Sequence, residues 1–367
     1  FSFYYDYAYN VVTSFGITTP SFSTEIYSGD LRSQWTPSPL YTLLISIALV
    51  LSGSTFLYHF LGYIIGLSFV YLNFKIFILL AEGLPPFRNL HYSLLLLNLS
   101  PVLVVQSIYF SSDLVAGLII SLFFFSLLSF NSRANFDYKS FLILFILLLL
   151  LTLLRPNGIL FLFSIFVSYL LSSNRISRLS FVVSLLLFIC FLLVSRSVFG
   201  GYPNGGILYF FWPNSWISPA YLLDQTSSLL TLNPFSPSFT TSFSDFSFYS
   251  FLRQLFIVPF LSFYKALNLM GMPTPLFSNA SIFHLTFYLY RFFYSIILII
   301  PLSIFLIPYL FTRSSIYKFF VISYLVYVII QSFFVGGDRY MLGTFVVPFV
   351  FGSFSFFQLK LSATSSR

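Results

Sequence analysis

A chain of 367 residues that is 58% hydrophobic, 22% aromatic and 7% charged, with a mean hydropathy of +0.93, falls far short of the roughly one-quarter charged residues that a water-soluble surface carries. These values exclude a soluble globular domain and place the chain in a bilayer. The formal charge of +8 comes from 17 basic residues set singly between apolar runs, which make no basic face for nucleic acid, and the one cysteine, Cys190, excludes a disulfide framework or a cysteine metal cluster.

In chain order, Asp6 comes first, within Phe3-Tyr4-Tyr5-Asp6-Tyr7-Ala8-Tyr9. A span ahead of Phe1 is expected, because Asp6 needs an anchor to stay at the membrane surface. Residues 10–38 are polar and turn-rich and read as an aqueous loop. Leu40 to Leu51 is apolar but shorter than the ~20 residues that a crossing needs, so it reads as a helix lying along the interface. Spans are expected over Phe60–Leu80, Leu90–Tyr109, Leu114–Phe130, Phe141–Leu154, Ile159–Leu171 and Leu179–Val194. A polar segment, Ser195–Ser250, follows. Residues 251–285, interrupted by Arg253, Pro259, Lys265, Gly271, Pro273 and Pro275, read as an outer segment that dips partly into the membrane. Phe292–Phe311, Phe319–Phe334 and Met341–Phe357 complete about nine expected spans.

The expected fold is therefore an all-α polytopic transmembrane bundle with outer loops and interfacial helices. Its parts are an outer loop with an interfacial helix (1–59), a first group of spans (60–195), a long outer segment (196–291) and C-terminal spans (292–367). Under this topology Lys75, Arg88, Arg133, Lys139, Arg175, Arg178, Arg313, Lys318, Lys360 and Arg367 share one face, which the excess of basic residues makes cytoplasmic. Asp6, Glu25, Asp30, Asp113, Asp224, Asp245 and Asp338 fall on the other face, leaving only Glu82 and Asp137 inside. Arg155, Arg196 and Arg339 stand with the outer acids at helix ends. Arginine forks hold phosphate oxygens and a carboxylate takes a proton from an attacking hydroxyl, so this set suits a lipid-phosphate ligand. The plain alternatives are structural: Asp113 as a helix cap, Arg155 and Arg339 as interfacial anchors, and His59, His91 and His284 too scattered for a metal.

These residues resemble the GT-C superfamily of membrane glycosyltransferases. Asp6 is similar to the catalytic-base aspartate after the first helix and Tyr9 to a tyrosine that often follows it. Pro39-Leu40-Tyr41 resembles the Pro-Pro-Leu-Tyr segment of the aminoarabinose-transferase and protein-mannosyltransferase-like branch. Asp113 resembles the second outer-loop acid. Arg155-Pro156-Asn157-Gly158 is similar to the Arg/Lys-X-X-Gly turn of that branch and to the Arg-X-Asn-Gly of the GPI second mannosyltransferase family. Arg339-Tyr340 followed by Pro348 resembles the Arg-Tyr...Pro motif before the last span. The departures are Thr36 or Ser38 where the branch often has lysine, Asp6-Tyr7 where an Asp-Glu pair is usual, and the lack of Asp-X-Asp.

The resemblance implies an inverting hexosyl- or mannosyltransferase that uses a polyprenyl-phosphate-linked sugar and a lipid, glycan or protein acceptor, with no cofactor and no obligatory divalent metal. Asp6 and Asp113 would be catalytic, and Arg155, Arg339, Tyr340, Tyr9 and Tyr41 would hold substrate or phosphate. The membrane would be the bacterial inner membrane or the endoplasmic reticulum, with the site on the periplasmic or luminal side. A multi-pass transporter or lipid flippase is the competing class, and a non-catalytic membrane subunit a third. The expected topology makes a direct prediction: in a chain without Cys190, single cysteines at 133 and 339 label from opposite sides of sealed vesicles, and labelling from one side would refute it.

Overall fold

The computed structural model describes residues 39–52, 55–82, 90–108, 111–131, 138–155, 158–172, 263, 266–267, 269–272, 282–311, 314–334 and 338–356. The expected span Leu179–Val194 and the segment 195–250 lie outside them. All the regular structure described is helical, as hydrocarbon demands of a chain whose backbone groups have no water to bond. The helices are α1 Pro39–Ser52, α2 Thr55–Ala81, α3 Leu90–Asn98, α4 Pro101–Ile108, α5 Ser112–Asn131, α6 Tyr138–Leu154 and α7 Gly158–Leu171. Further on, α8 Ile282–Tyr294 passes through a π turn, Ser295–Ile299, into the short α9 Ile300–Ile304 and a 3-10 turn, Ile307–Phe311. α10 Ser315–Phe334 is followed by a 3-10 turn, Asp338–Thr344, and a π turn, Pro348–Gly352.

Three helical stretches are long and apolar enough to cross a membrane: His59–Ala81, Ser112–Phe130 and Leu285–Phe311. Leu142–Leu154, Leu160–Tyr169, Ile316–Ser332 and Met341–Phe356 are apolar but shorter. The described residues thus give three full-length spans where nine were expected along the whole chain. The third begins ahead of the expected Phe292, so Arg291 lies inside a span.

A second correction concerns Leu90–Tyr109, expected as one helix. It is two, broken at Leu99-Ser100, because Pro101 lacks an N–H and cannot continue the ladder. Ser100 N–H donates to the Leu97 carbonyl at 3.2 Å instead of reaching Leu96, and Leu103 N–H donates to Ser100 Oγ at 3.5 Å instead of reaching Leu99. Two carbonyls are thereby released from the helix. Both find partners on α8: the Tyr294 hydroxyl donates to the Leu96 carbonyl and the Tyr290 hydroxyl to that of Leu99.

The directions of the helices follow from their short connections, which make neighbours antiparallel. α5 and α7 point one way, and α4 and α6 the other. Gly66 of α2 meets Ser107 near the end of α4, and Phe69 meets Gly117, so α2 runs parallel to α5. The C-terminal run also follows α5. Leu342 and Gly343 meet Gly117 and Ile120, whereas the Phe349 ring lies tilted at 6.2 Å from that of Tyr294, whose hydroxyl marks Leu96, far from the α4–α5 connection. Residue 338 and, through the short connection before it, the end of α10 therefore lie at the end of the bundle where α5 and α7 begin.

The core is aromatic. Phe161 of α7 meets Phe123 and Phe124 of α5 at 5.9 and 5.8 Å and Tyr327 of α10 at 5.4 Å, and Phe124 meets Phe320 at 4.8 Å. The three contacts of Phe161 are edge-on, a geometry that adds about 0.5–1.5 kcal/mol each beyond the area buried. The break between α3 and α4 gives a test: Tyr290→Phe and Tyr294→Phe together should lower the unfolding free energy by about 1–3 kcal/mol, since each change leaves a carbonyl unpaired. Unchanged thermal unfolding of the double variant in lipid nanodiscs would show that the carbonyls find other partners.

Candidate functional site

The first turn of α5 builds one half of the site. Ser111 caps this helix: its Oγ accepts the Leu114 N–H at 3.1 Å, and its hydroxyl donates to Gln106 Oε1 at 2.5 Å. The cap is therefore Ser111, not Asp113, whose structural alternative from sequence was to be the cap itself. Asp113 sits inside the first turn with its side chain buried, 5% exposed, where the positive helix end favours a carboxylate.

The other half is the turn between α6 and α7. Arg155 follows the last residue of α6, where the negative helix end favours a cation. Its N–H donates to the Leu151 carbonyl at 3.0 Å, and its own carbonyl accepts the Gly158 N–H at 2.9 Å. A Cβ at position 158 would stand 2.5 Å from the Leu151 carbonyl oxygen, so only glycine lets α7 begin this close to the end of α6. The turn holds Arg155 against α5, and its Nη1 donates to Asp113 Oδ1 in a salt bridge. The side chains are 15% and 5% exposed.

The third component is the 3-10 turn Asp338–Thr344. A Cβ at Gly343 would come within 2.6 Å of the Gly117 carbonyl oxygen and 2.5 Å of Ile120 Cβ, and one at Gly117 within 3.0 Å of Leu342 Cβ. Gly117 is one helical turn from Asp113 on the same face of α5. The backbone carrying Arg339 and Tyr340 therefore starts at the same end of the bundle as the ion pair. The side chains of those two residues lie outside what is described.

Of the residues read from sequence, Asp113 and Arg155 are brought into contact and the 338–344 backbone is brought to their end. Tyr41 is buried, 2% exposed, on α1, which packs against α2 and against α6, the helix that leads into Arg155. Asp6 and Tyr9 lie outside the described residues. Lys75 near the end of α2, Lys139 at the start of α6 and Lys318 at the start of α10 lie at the opposite end, with Glu82. Among the described residues no three His, Cys, Asp or Glu side chains gather as a metal cage would require. The sequence reading overlooked the fully buried polar side chains Asn73, Ser121 and Gln331, whose signal was a single polar residue in an apolar run. No protein-family model, curated protein or solved structure matches this chain.

Chemically, the pair can do two things. A guanidinium is the side chain whose fork of N–H donors matches the oxygens of an anion, and Asp113 fixes the orientation of that of Arg155. The carboxylate also lets an arginine sit where a lone cation would be expensive. Removing either partner takes this counter-charge from the other, and Asp113→Leu or Arg155→Met alone should cost roughly 2–4 kcal/mol, at or below the buried-pair range because Arg155 keeps some solvent contact. The Asp113→Leu/Arg155→Met double variant should recover most of that loss. Purely additive losses in thermal unfolding would mean that the two charges are not coupled.

Proposed function

We propose that this chain is a membrane glycosyltransferase of GT-C type, which moves a hexose or mannose from a polyprenyl-phosphate donor to a lipid, glycan or protein hydroxyl at the outer membrane face. The observation that carries the reading is the Asp113–Arg155 pair, held at the same bundle end as the turn bearing Arg339. A donor phosphate lies at headgroup depth, and two arginines at a helix end of that depth would bracket it.

In the proposed step, Asp6 takes the proton of the acceptor hydroxyl as its oxygen attacks the anomeric carbon. The bond from that carbon to the phosphate oxygen breaks, and polyprenyl phosphate leaves with the bonding electrons. Arg155 and Arg339 stabilise the charge that the phosphate gains, while Asp113 holds Arg155 in orientation. Tyr9, Tyr41 and Tyr340 shape the approach to the sugar. Arginines suffice for a monophosphate leaving group, so activity should survive EDTA.

A second reading, a transporter or flippase, draws on the broken α3–α4 helix, since interrupted helices often line transport sites. The two readings differ in one variant. Asp6→Asn should abolish sugar transfer with donor still bound, and undiminished transfer would refute the enzyme reading. Arg339→Lys should lower catalytic efficiency by about tenfold to a thousandfold, roughly 1.4–4 kcal/mol of transition-state stabilisation, with a milder loss for Arg155→Lys. Unchanged kinetics in Arg339→Lys would leave that residue an anchor.

A further inference from the structure

Gln331 is a buried polar group that the Asp113–Arg155 site does not yet account for. It lies near the end of α10, in the apolar run Val328-Ile329-Ile330-Gln331, with no exposed surface. Neither its amide oxygen nor its amide nitrogen has a hydrogen-bond partner. Leaving such a group unpaired costs about 1–3 kcal/mol, and a leucine would fill the space without that penalty.

Its place in the bundle is fixed by its neighbours. Gln331 follows Tyr327 by one helical turn on the same face of α10, and the Tyr327 ring meets that of Phe161 at 5.4 Å. Phe161 is three residues into α7, just below the turn that starts at Arg155. Because α10 and α7 run in opposite directions, the one-turn step of about 6 Å from Tyr327 to Gln331 leads toward the Arg155–Gly158 turn. The amide therefore lies on the α10 face that packs against α7, toward the bundle end that carries the ion pair.

We propose that Gln331 is a specificity-determining residue of this site, which holds the sugar hydroxyls of the donor while Arg155 takes the phosphate. An amide offers one acceptor and two donors, and a hydroxyl is the ligand group that can use both kinds at once. A phosphate only accepts and is already matched by guanidinium. Sites that hydrogen-bond a substrate hydroxyl discriminate strongly against ligands lacking it, because the protein groups are then left unpaired. The inference rests on the lipid-phosphate-sugar reading and adds to it which side chain reads the sugar.

The test compares binding of two probes of equal chain length, polyprenyl phosphate and polyprenyl-phosphate mannose, to the full chain in nanodiscs. Wild type should prefer the mannosylated lipid. Gln331→Leu and the unbranched Gln331→Met should lose that preference by about tenfold, hold bare polyprenyl phosphate as well as wild type, and unfold at the same or a higher temperature. Retention of the preference in a folded variant overturns the role of Gln331 and leaves the lipid-phosphate reading standing. A lower unfolding temperature in both variants means that the amide serves the fold, and also overturns it. If wild type binds neither lipid, the lipid-phosphate reading itself fails, and this inference with it.

Discussion

The contact on which the arrangement most depends is that between α5 and the C-terminal run, made by Gly117 and Gly343 with almost no side chain between them. With the Cβ that any other residue brings, the two backbones would have to separate by an ångström or more at position 343. Small residues at such crossings are how helices associate in lipid, where no hydrophobic force drives apolar surfaces together. Because Gly117 shares a face with Asp113, the same contact that joins the C-terminal run to the bundle also aligns the 338–344 turn with the ion pair. Packing and site are thus one feature: loosening the crossing would move one side of the site away from the other.

Hydrocarbon imposes a second constraint, that every backbone polar group find a partner inside the protein. The chain meets it in an unusual place. The Ser100-Pro101 break frees the carbonyls of Leu96 and Leu99, and two tyrosines one helical turn apart on α8 supply the hydroxyls. This explains why a helix as aromatic as Ile282–Tyr294 sits where it does: Tyr290 and Tyr294 have the reach and the terminal donor that phenylalanine lacks. The cost of the proline break is offset from a segment nearly two hundred positions away, so α3, α4 and α8 form one unit.

Much of the helical plan was legible in the sequence, because apolar run length is a direct reading of what lipid tolerates. The limits of α2, α5, α6, α7 and α10 lie within a few residues of the expected ones. The failures have physical causes. Leu90–Tyr109 looked continuous because Pro101 is tolerated in many membrane helices; whether it bends or breaks the helix depends on the partners available to the freed carbonyls, and those are on α8. The span expected from Phe292 left Arg291 unplaced, because a charge is costly inside hydrocarbon. It lies instead within an apolar stretch beginning at Leu285. Asp113 and Arg155 were legible as candidates through their position at helix ends. Their pairing was not, because it depends on how closely α7 can begin beside α6, which is the business of Gly158.

The ion pair itself constrains what the site can bind. A lone arginine at the edge of hydrocarbon would attract any anion, including the phosphates of bulk lipid, which surround the protein in great excess. Pairing with Asp113 lowers that affinity, because an incoming phosphate meets a guanidinium whose charge is already partly answered and a carboxylate that repels it. A ligand that gains from further contacts overcomes this where a bulk lipid does not. The ordering of charge along the bundle follows the same logic. Among the described residues, Lys75, Lys139 and Lys318 are gathered at the end away from the pair, where they add little to the field at Asp113. The carboxylate and the guanidinium described at this end are thus fixed by helix ends and a glycine turn.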